Sequence, residues 1–196
     1  MANALLFRES DHKYFLNDRE LPSVTTVMSG VITDYSRIPH DVLKAAQERG
    51  IAVHKMCELA DLGTLDYTSI DEPLWPYLEA WRAFKHQAGF KCEWIEQRVY
   101  SDTYGYAGTF DRFGLLGGKP ALVDIKSGAP IGDAAGIQLA AYEAAGKERG
   151  VLPRKLKRFS VHLQDNGNYK LIEYTNPADL HVFYAALTIF NYRRRP

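Results

Sequence analysis

Gly108-Thr109-Phe110-Asp111-Arg112-Phe113-Gly114-Leu115-Leu116-Gly117-Gly118-Lys119-Pro120-Ala121-Leu122-Val123-Asp124-Ile125-Lys126 is the stretch on which the fold turns. Tyr106–Leu116 and Ala121–Lys126 read as strands, and Gly117-Gly118 between them is a strong signal for a tight hairpin. Side chains alternate along a strand, so Val123 and Ile125 share one face while Leu122, Asp124 and Lys126 share the other. Two charges inside an apolar strand cost desolvation energy unless they are paired or serve a site. A two-residue turn at Gly117-Gly118 pairs residues whose numbers sum to 235, because 116 + 119 = 235. Asp111 then falls opposite Asp124, and Thr109 opposite Lys126. Opposed carboxylates repel, and a divalent cation between them removes the objection. Magnesium takes oxygen ligands, commonly one or two carboxylates with waters and substrate phosphate. Lys126 is then placed to orient an attacking water or to offset charge on a phosphate. A bulge would shift this register by one residue.

Outward from the hairpin the pattern is mixed. Before it come short strands at Leu5–Phe7 and His12–Leu16 with a turn at Asn17–Arg19. Leu21–Thr26 follows, then helices from near Pro39 to Leu62 and over Trp75–Gln87. A strand over Lys91–Tyr100 is expected to place Ile95, Gln97 and Val99 on one face and Trp94, Glu96 and Arg98 on the other. After the hairpin come an alanine-rich helix over Asp133–Arg149 and strands at Arg158–Leu163 and Tyr169–Tyr174. Asn176 is expected to cap a last helix with Pro177 at its first position. Helices, three strands, a helix, two strands and a helix predict an α/β layer fold with a central mixed sheet flanked by helices. With 196 residues and 46% hydrophobic content, residues 1–196 are expected to form a single domain, opening on a strand and turn segment over about 1–35.

Formal net charge is zero, so any basic surface for nucleic acid must be local. Arg154–Arg158 and Arg193–Arg195 are such runs. The first leads directly into a strand, whereas the second reads as a solvated tail. Cys57 and Cys92 are too few for a disulfide framework or a four-thiolate cluster. Met1–Ser10 lacks a secretory pattern, and no apolar run approaches the length of a membrane span. A soluble, cytoplasmic protein with no membrane role is the expectation. No P-loop pattern is present, so no nucleotide cofactor is expected.

Gly108-Thr109-Phe110-Asp111, then Asp124-Ile125-Lys126, then Gln138 with Tyr142, resembles the PD-(D/E)xK nuclease superfamily in its RecB-like and phage-type exonuclease branch. Arg49-Gly50-Ile51-Ala52-Val53-His54 fits the upstream helical histidine of that branch, and Leu21–Thr26 is similar to an N-terminal segment of some phage and mitochondrial members. Each motif alone is weak; their order and spacing over residues 12 to 142 are more specific. Phe110 stands where the superfamily name puts proline, as is common in this branch.

The resemblance implies a restriction-endonuclease-like fold and Mg²⁺- or Mn²⁺-dependent hydrolysis of phosphodiester bonds from DNA ends, with one or two ions. Carried over residue by residue, Asp111 and Asp124 become metal ligands and Lys126 catalytic. His54 becomes a further ligand, as does the main-chain carbonyl of Ile125. Gln138 and Tyr142, one helical turn apart, would contact a DNA phosphate or base. Glu58, one turn from His54, either orients it or is a solvated helix acid; Glu96 is a weaker candidate to face the site from the preceding strand. The cysteines of iron–sulfur members are absent, so no cluster is expected. Linear DNA with single-stranded or frayed ends is the implied substrate, and a recombination or single-strand-binding protein a compatible partner. The rival readings are a structure-specific or restriction-type endonuclease with the same centre, and a nucleic-acid-binding module that has lost catalysis.

Overall fold

The computed structural model describes residues 4–36, 38–128 and 133–194. A small antiparallel sheet comes first, β1 (Leu5–Arg8), β2 (Lys13–Leu16) and β3 (Arg19–Leu21), in the order β1-β2-β3. Asn17 and Asp18 take φ of 48° and 64° in the β2–β3 turn, a conformation Asn and Asp tolerate better than most residues. Helices α1 (Val24–Val31), α2 (His40–Leu62) and α3 (Trp75–Gln87) follow. The chain then runs through β4 (Phe90–Ser101), β5 (Tyr106–Leu116), β6 (Lys119–Lys126), α4 (Ala134–Glu148), β7 (Lys157–Leu163), β8 (Tyr169–Tyr174) and α5 (Asp179–Arg193).

The five-stranded sheet has the order β4-β5-β6-β7-β8 and is antiparallel except for β6 and β7. A parallel pair needs a crossover, which α4 supplies. Both faces are covered. Leu122 packs with α1, α4 and α5 residues such as Val27, Leu139 and Phe183. Val123 and Ile125 pack on the opposite side with Val53, Leu78 and Trp81 of α2 and α3. The alternation expected for β6 is therefore real, and Asp124 lies within a strand that is buried on both sides. The small sheet joins through Tyr14 and Leu21, which pack on Tyr100 and Ala107. The Ala107 N–H also donates to Pro22 O at 3.0 Å.

Two expectations shift, and one stretch without an assignment gains one. Over Leu21–Thr26, Ser23 begins a helix: its hydroxyl accepts the Thr26 N–H at 2.9 Å, capping α1. The last helix starts at Asp179 rather than Pro177, although Asn176 Oδ1 still accepts the Ala178 N–H at 3.0 Å and helps to nucleate it. The clean alternation along β4 fails, because the register slips between Cys92 and Trp94 and Glu96 has φ of 49°. A bulge of this kind re-aims the side chains that follow it.

Candidate active site

The hairpin register is the one the turn dictates. Leu116 pairs with Lys119 and Arg112 with Val123, each sum being 235. The ladder then gives way to a side-chain bond: Asp111 Oδ2 accepts the Ile125 N–H at 2.6 Å. On the other side of β5, Ile95 pairs with Arg112 and Gln97 with Phe110, which puts Glu96 beside Asp111. Three neighbouring strands thus bring Glu96, Asp111 and Asp124 to one place.

His54 reaches the same place from α2. Its Nε2 is 2.7 Å from Ile125 O, and its Nδ1 is 3.6 Å from Asp111 Oδ2. A carbonyl only accepts, so Nε2 carries the proton and Nδ1 keeps its lone pair toward the acids, the tautomer a metal ligand requires. Ligand atoms of His54, Glu96 and Asp111 lie within 4.8 Å of one another. Glu96, a minor candidate by sequence, is thus a full member of the cluster. Its φ in the left-handed region is unusual for a non-glycine inside a strand, and such outliers gather at functional positions. Glu58 is not brought in; it pairs with Lys55 at 2.9 Å.

The electrostatics fit a cation. Burial, and then the Asp111 charge, push the Glu96 carboxyl up to about 7 despite Arg112 and His54. Burial pushes Asp124 up to about 6, against the pull of Lys126 and with Asp111 adding to the rise. Lys126 Nζ lies 3.1 Å from Asp124 Oδ1 and 2.9 Å from Oδ2, but in hydrogen-bond geometry it donates only to Oδ1. Oδ2 is left buried without a donor. Repelling carboxylates, an orphaned acceptor and an imidazole lone pair form a donor set that suits a divalent ion. Burial works against the charge on Lys126, yet Asp124 and Asp111 outweigh it and hold the ammonium above the usual lysine value.

Gln138 and Tyr142 do come together, but behind Lys126. Lys126 Nζ donates to Gln138 Oε1 at 3.1 Å, and Gln138 Nε2 donates to Tyr142 Oη at 3.0 Å. Tyr142 is 4% exposed and packs against Gly108, where an added Cβ would lie 2.4 Å from its ring. Gly108 is required by that close approach, and a tyrosine so enclosed has no face for a base. One member of the basic run Arg154–Arg158 has a structural role. Arg158 is buried and reaches Asp179, Glu143 and the carbonyls of Gly136 and Asn176, so it ties α4 to α5 rather than facing solvent. Arg193 donates to Gly30 O at 3.0 Å, whereas Arg195 lies outside the described residues.

Arg112 and Asp61 were not anticipated. The fully buried Arg112 bonds to Asp61 at 2.8 Å and to Glu96 at 2.9 Å, and donates to Asp111 O at 2.7 Å. Asp61 in turn accepts from Trp81 and Lys85. The available signal was a charged residue inside an apolar strand, which needs a counter-ion.

No family profile and no curated protein matches the chain. Among solved structures, a protein from Eubacterium rectale assigned as an exonuclease superposes with a TM-score of 0.60 and 13% identity. That alignment covers 88% of this chain and 79% of the other. An alkaline exonuclease from Laribacter hongkongensis aligns at 0.47 and 15% identity, over 87% and 86%. The first likeness shows a shared fold, the helix-flanked mixed sheet that the sequence implied. Among the described residues no helix is long and apolar enough to cross a membrane.

Proposed function

We propose that the chain is a divalent-metal-dependent exonuclease acting on DNA ends. The observation that carries this is the convergence of His54, Glu96 and Asp111 within 4.8 Å, beside the Asp124–Lys126 pair. A solved structure of the same fold, described as an exonuclease, accords with it. His54 Nδ1, Glu96, Asp111 and the orphaned oxygen of Asp124 would hold Mg²⁺ or Mn²⁺, with the second lone pair of the Ile125 carbonyl as a further donor. When bound, such an ion acts as a Lewis acid on the phosphoryl oxygen and lowers the pKa of a bound water.

The chain's own residues do the rest. Lys126, held between Asp124 and Gln138, presents a fixed ammonium to a water or a phosphate oxygen. Gln138 and Tyr142 keep that ammonium in place, since the amide spends its oxygen on Lys126 and its nitrogen on the phenol. Arg112 draws one oxygen of Glu96 and limits the repulsion with Asp111. The reading is tested by incubating end-labelled linear DNA with Mg²⁺, Mn²⁺ or chelator, with Asp124→Asn alongside. Release of nucleotides only with metal and only by the unmodified chain is expected; metal-independent release, or full activity in Asp124→Asn, would refute it.

A further inference from the structure

A buried polar network lies beside Lys126, outside the metal cluster. Strands β6 and β7 run parallel with Asp124 beside Ser160 and Lys126 beside His162, so these four side chains leave the same face of the sheet. Ser160 has no exposed surface and His162 is 5% exposed. His162 Nδ1 lies 3.1 Å from Gly128 O, and a carbonyl only accepts, so Nδ1 carries the proton. Nε2 of the neutral ring then accepts from the Ser160 hydroxyl at 2.9 Å, and Ser160 Oγ accepts from the Tyr174 phenol, also at 2.9 Å. Burial pushes His162 below the usual histidine value, against the pull of the Gly128 carbonyl and with Lys126 and Lys170 adding to the fall, so the ring is neutral at about pH 7. The bonds thus run in one direction, from Tyr174 to Ser160 to His162 to the Gly128 carbonyl, with each donor used once. A serine bonded to a histidine is also the arrangement of a nucleophile and its base, but a hydroxyl with no exposed surface meets no substrate.

Both ends of the network bear on Lys126. Strand β6 ends at Lys126, and Gly128 follows two residues later, where the backbone has left the sheet on its way to α4. The Tyr174 ring packs on Gly136 in the first turn of α4, so closely that an added Cβ would lie 2.7 Å from it. Gln138, which accepts from the Lys126 ammonium, stands two residues beyond Gly136. Tyr174, Ser160 and His162 therefore grip the connection from β6 to α4 on both sides, working from β7 and β8. We propose that His162 is a positioning residue: through Gly128 at one end, and through Ser160 and Tyr174 at the other, it sets Lys126 on β6 against Gln138 on α4. The proposal rests on the nuclease reading for what the lysine does, and on the network alone for how the lysine is held. Without the network, the Lys126–Gln138 bond has to order the connection by itself, and the ammonium samples more positions.

The test has two readouts on the full chain. One is the Lys126 ammonium resonance in proton–nitrogen correlation spectra with chelator present, assigned by its loss in Lys126→Met. The other is steady-state cleavage of a labelled linear oligonucleotide with Mn²⁺. His162→Leu removes the bond to Gly128. It is expected to shift or broaden the Lys126 resonance and to lower kcat about fivefold to tenfold, with KM and Mn²⁺ affinity unchanged. His162→Asn puts an amide donor in place of Nδ1 and is expected to restore most of the rate. Ser160→Ala breaks the network at its middle with the loss of one heavy atom; it is expected to act in the same direction, and it decides the matter where His162→Leu fails to fold. A Lys126 resonance that stays in place in the folded variants, or a loss of thermal stability with kcat unchanged, would reduce the network to a structural tie and overturn the proposal. No cleavage by the unmodified chain, with a Lys126 resonance that still depends on His162, would refute the nuclease reading and leave the hold on Lys126 standing.

Discussion

Asp111 Oδ2 accepts the backbone N–H of Ile125 at 2.6 Å, so one carboxylate both joins the His54–Glu96 cluster and takes the place of a strand-to-strand bond. Substitutions at Asp111 therefore separate two effects. Asparagine keeps an oxygen for that N–H and removes the charge, so Asp111→Asn should fold normally and lose cleavage and metal binding. Alanine strands a buried donor, at a cost of about 1–3 kcal/mol. Chemical denaturation of the two variants checks this; equal stability would mean that the bond to Ile125 contributes nothing.

Lys126 depends on two residues behind it. Tyr142→Phe removes the phenol oxygen that accepts from Gln138 and frees the amide to turn. A lost positioning hydrogen bond of about 1 kcal/mol predicts a fall in kcat of roughly fivefold to tenfold, with KM and metal affinity unchanged. Steady-state kinetics on a labelled oligonucleotide give the split. A raised KM at constant kcat would mean instead that Tyr142 touches substrate.

His54 donates from Nε2 to the Ile125 carbonyl and points Nδ1 at the acids. His54→Ala should weaken Mn²⁺ binding by at least about tenfold, the scale reached even by outer partners of metal ligands, with activity recovering in part at high Mn²⁺. Titration calorimetry reads the affinity directly. Unchanged affinity would make His54 a structural tie between α2 and β6.

Without metal, the carboxyls of Glu96 and Asp124 are raised from ordinary values of 4.5 and 3.8 to about 7 and about 6. The folded state then holds more protons than the unfolded state between about pH 4 and pH 7. Stability from these two groups is present at the acid end and is lost as pH rises through their folded values. The metal-free protein should melt at a higher temperature near about pH 5 than near about pH 8, and Mg²⁺ or Mn²⁺ at the higher pH should recover the difference. In Glu96→Gln the pH trend should shrink. A metal-free protein that gains stability across this window would contradict the arrangement of acids.

Much of the site was legible because a hairpin is a local object. Once Gly117-Gly118 fixes the turn, the pairing of β5 with β6 follows by counting, and the alternation of Val123 and Ile125 against Asp124 and Lys126 follows from the strand. What was faint or escaped depends on contacts distant in sequence. Glu96 reaches the site only because a bulge between Cys92 and Trp94 resets β4. Arg112 needs Asp61, brought by α2, which no period along β5 reveals. The resemblance, with the one-turn spacing from Gln138, makes Tyr142 a recognition residue. Helices α1 and α5 cover its helix, so the tyrosine is core and serves Gln138. Helix α1 was missed because Val24, Thr25 and Thr26 favour extended chain, and the Ser23 cap overrides them.

The proposed function is degradation of DNA from its ends through a metal held by His54, Glu96 and Asp111. Equal amounts of linear and covalently closed circular DNA, incubated together with Mg²⁺ or Mn²⁺ and sampled over time on a gel, test it most directly. The account predicts progressive shortening of the linear molecules, survival of the circles, and arrest of both by chelator. Nicking or linearisation of the circles at a comparable rate would contradict end dependence, and degradation that continues in chelator would contradict the metal centre itself.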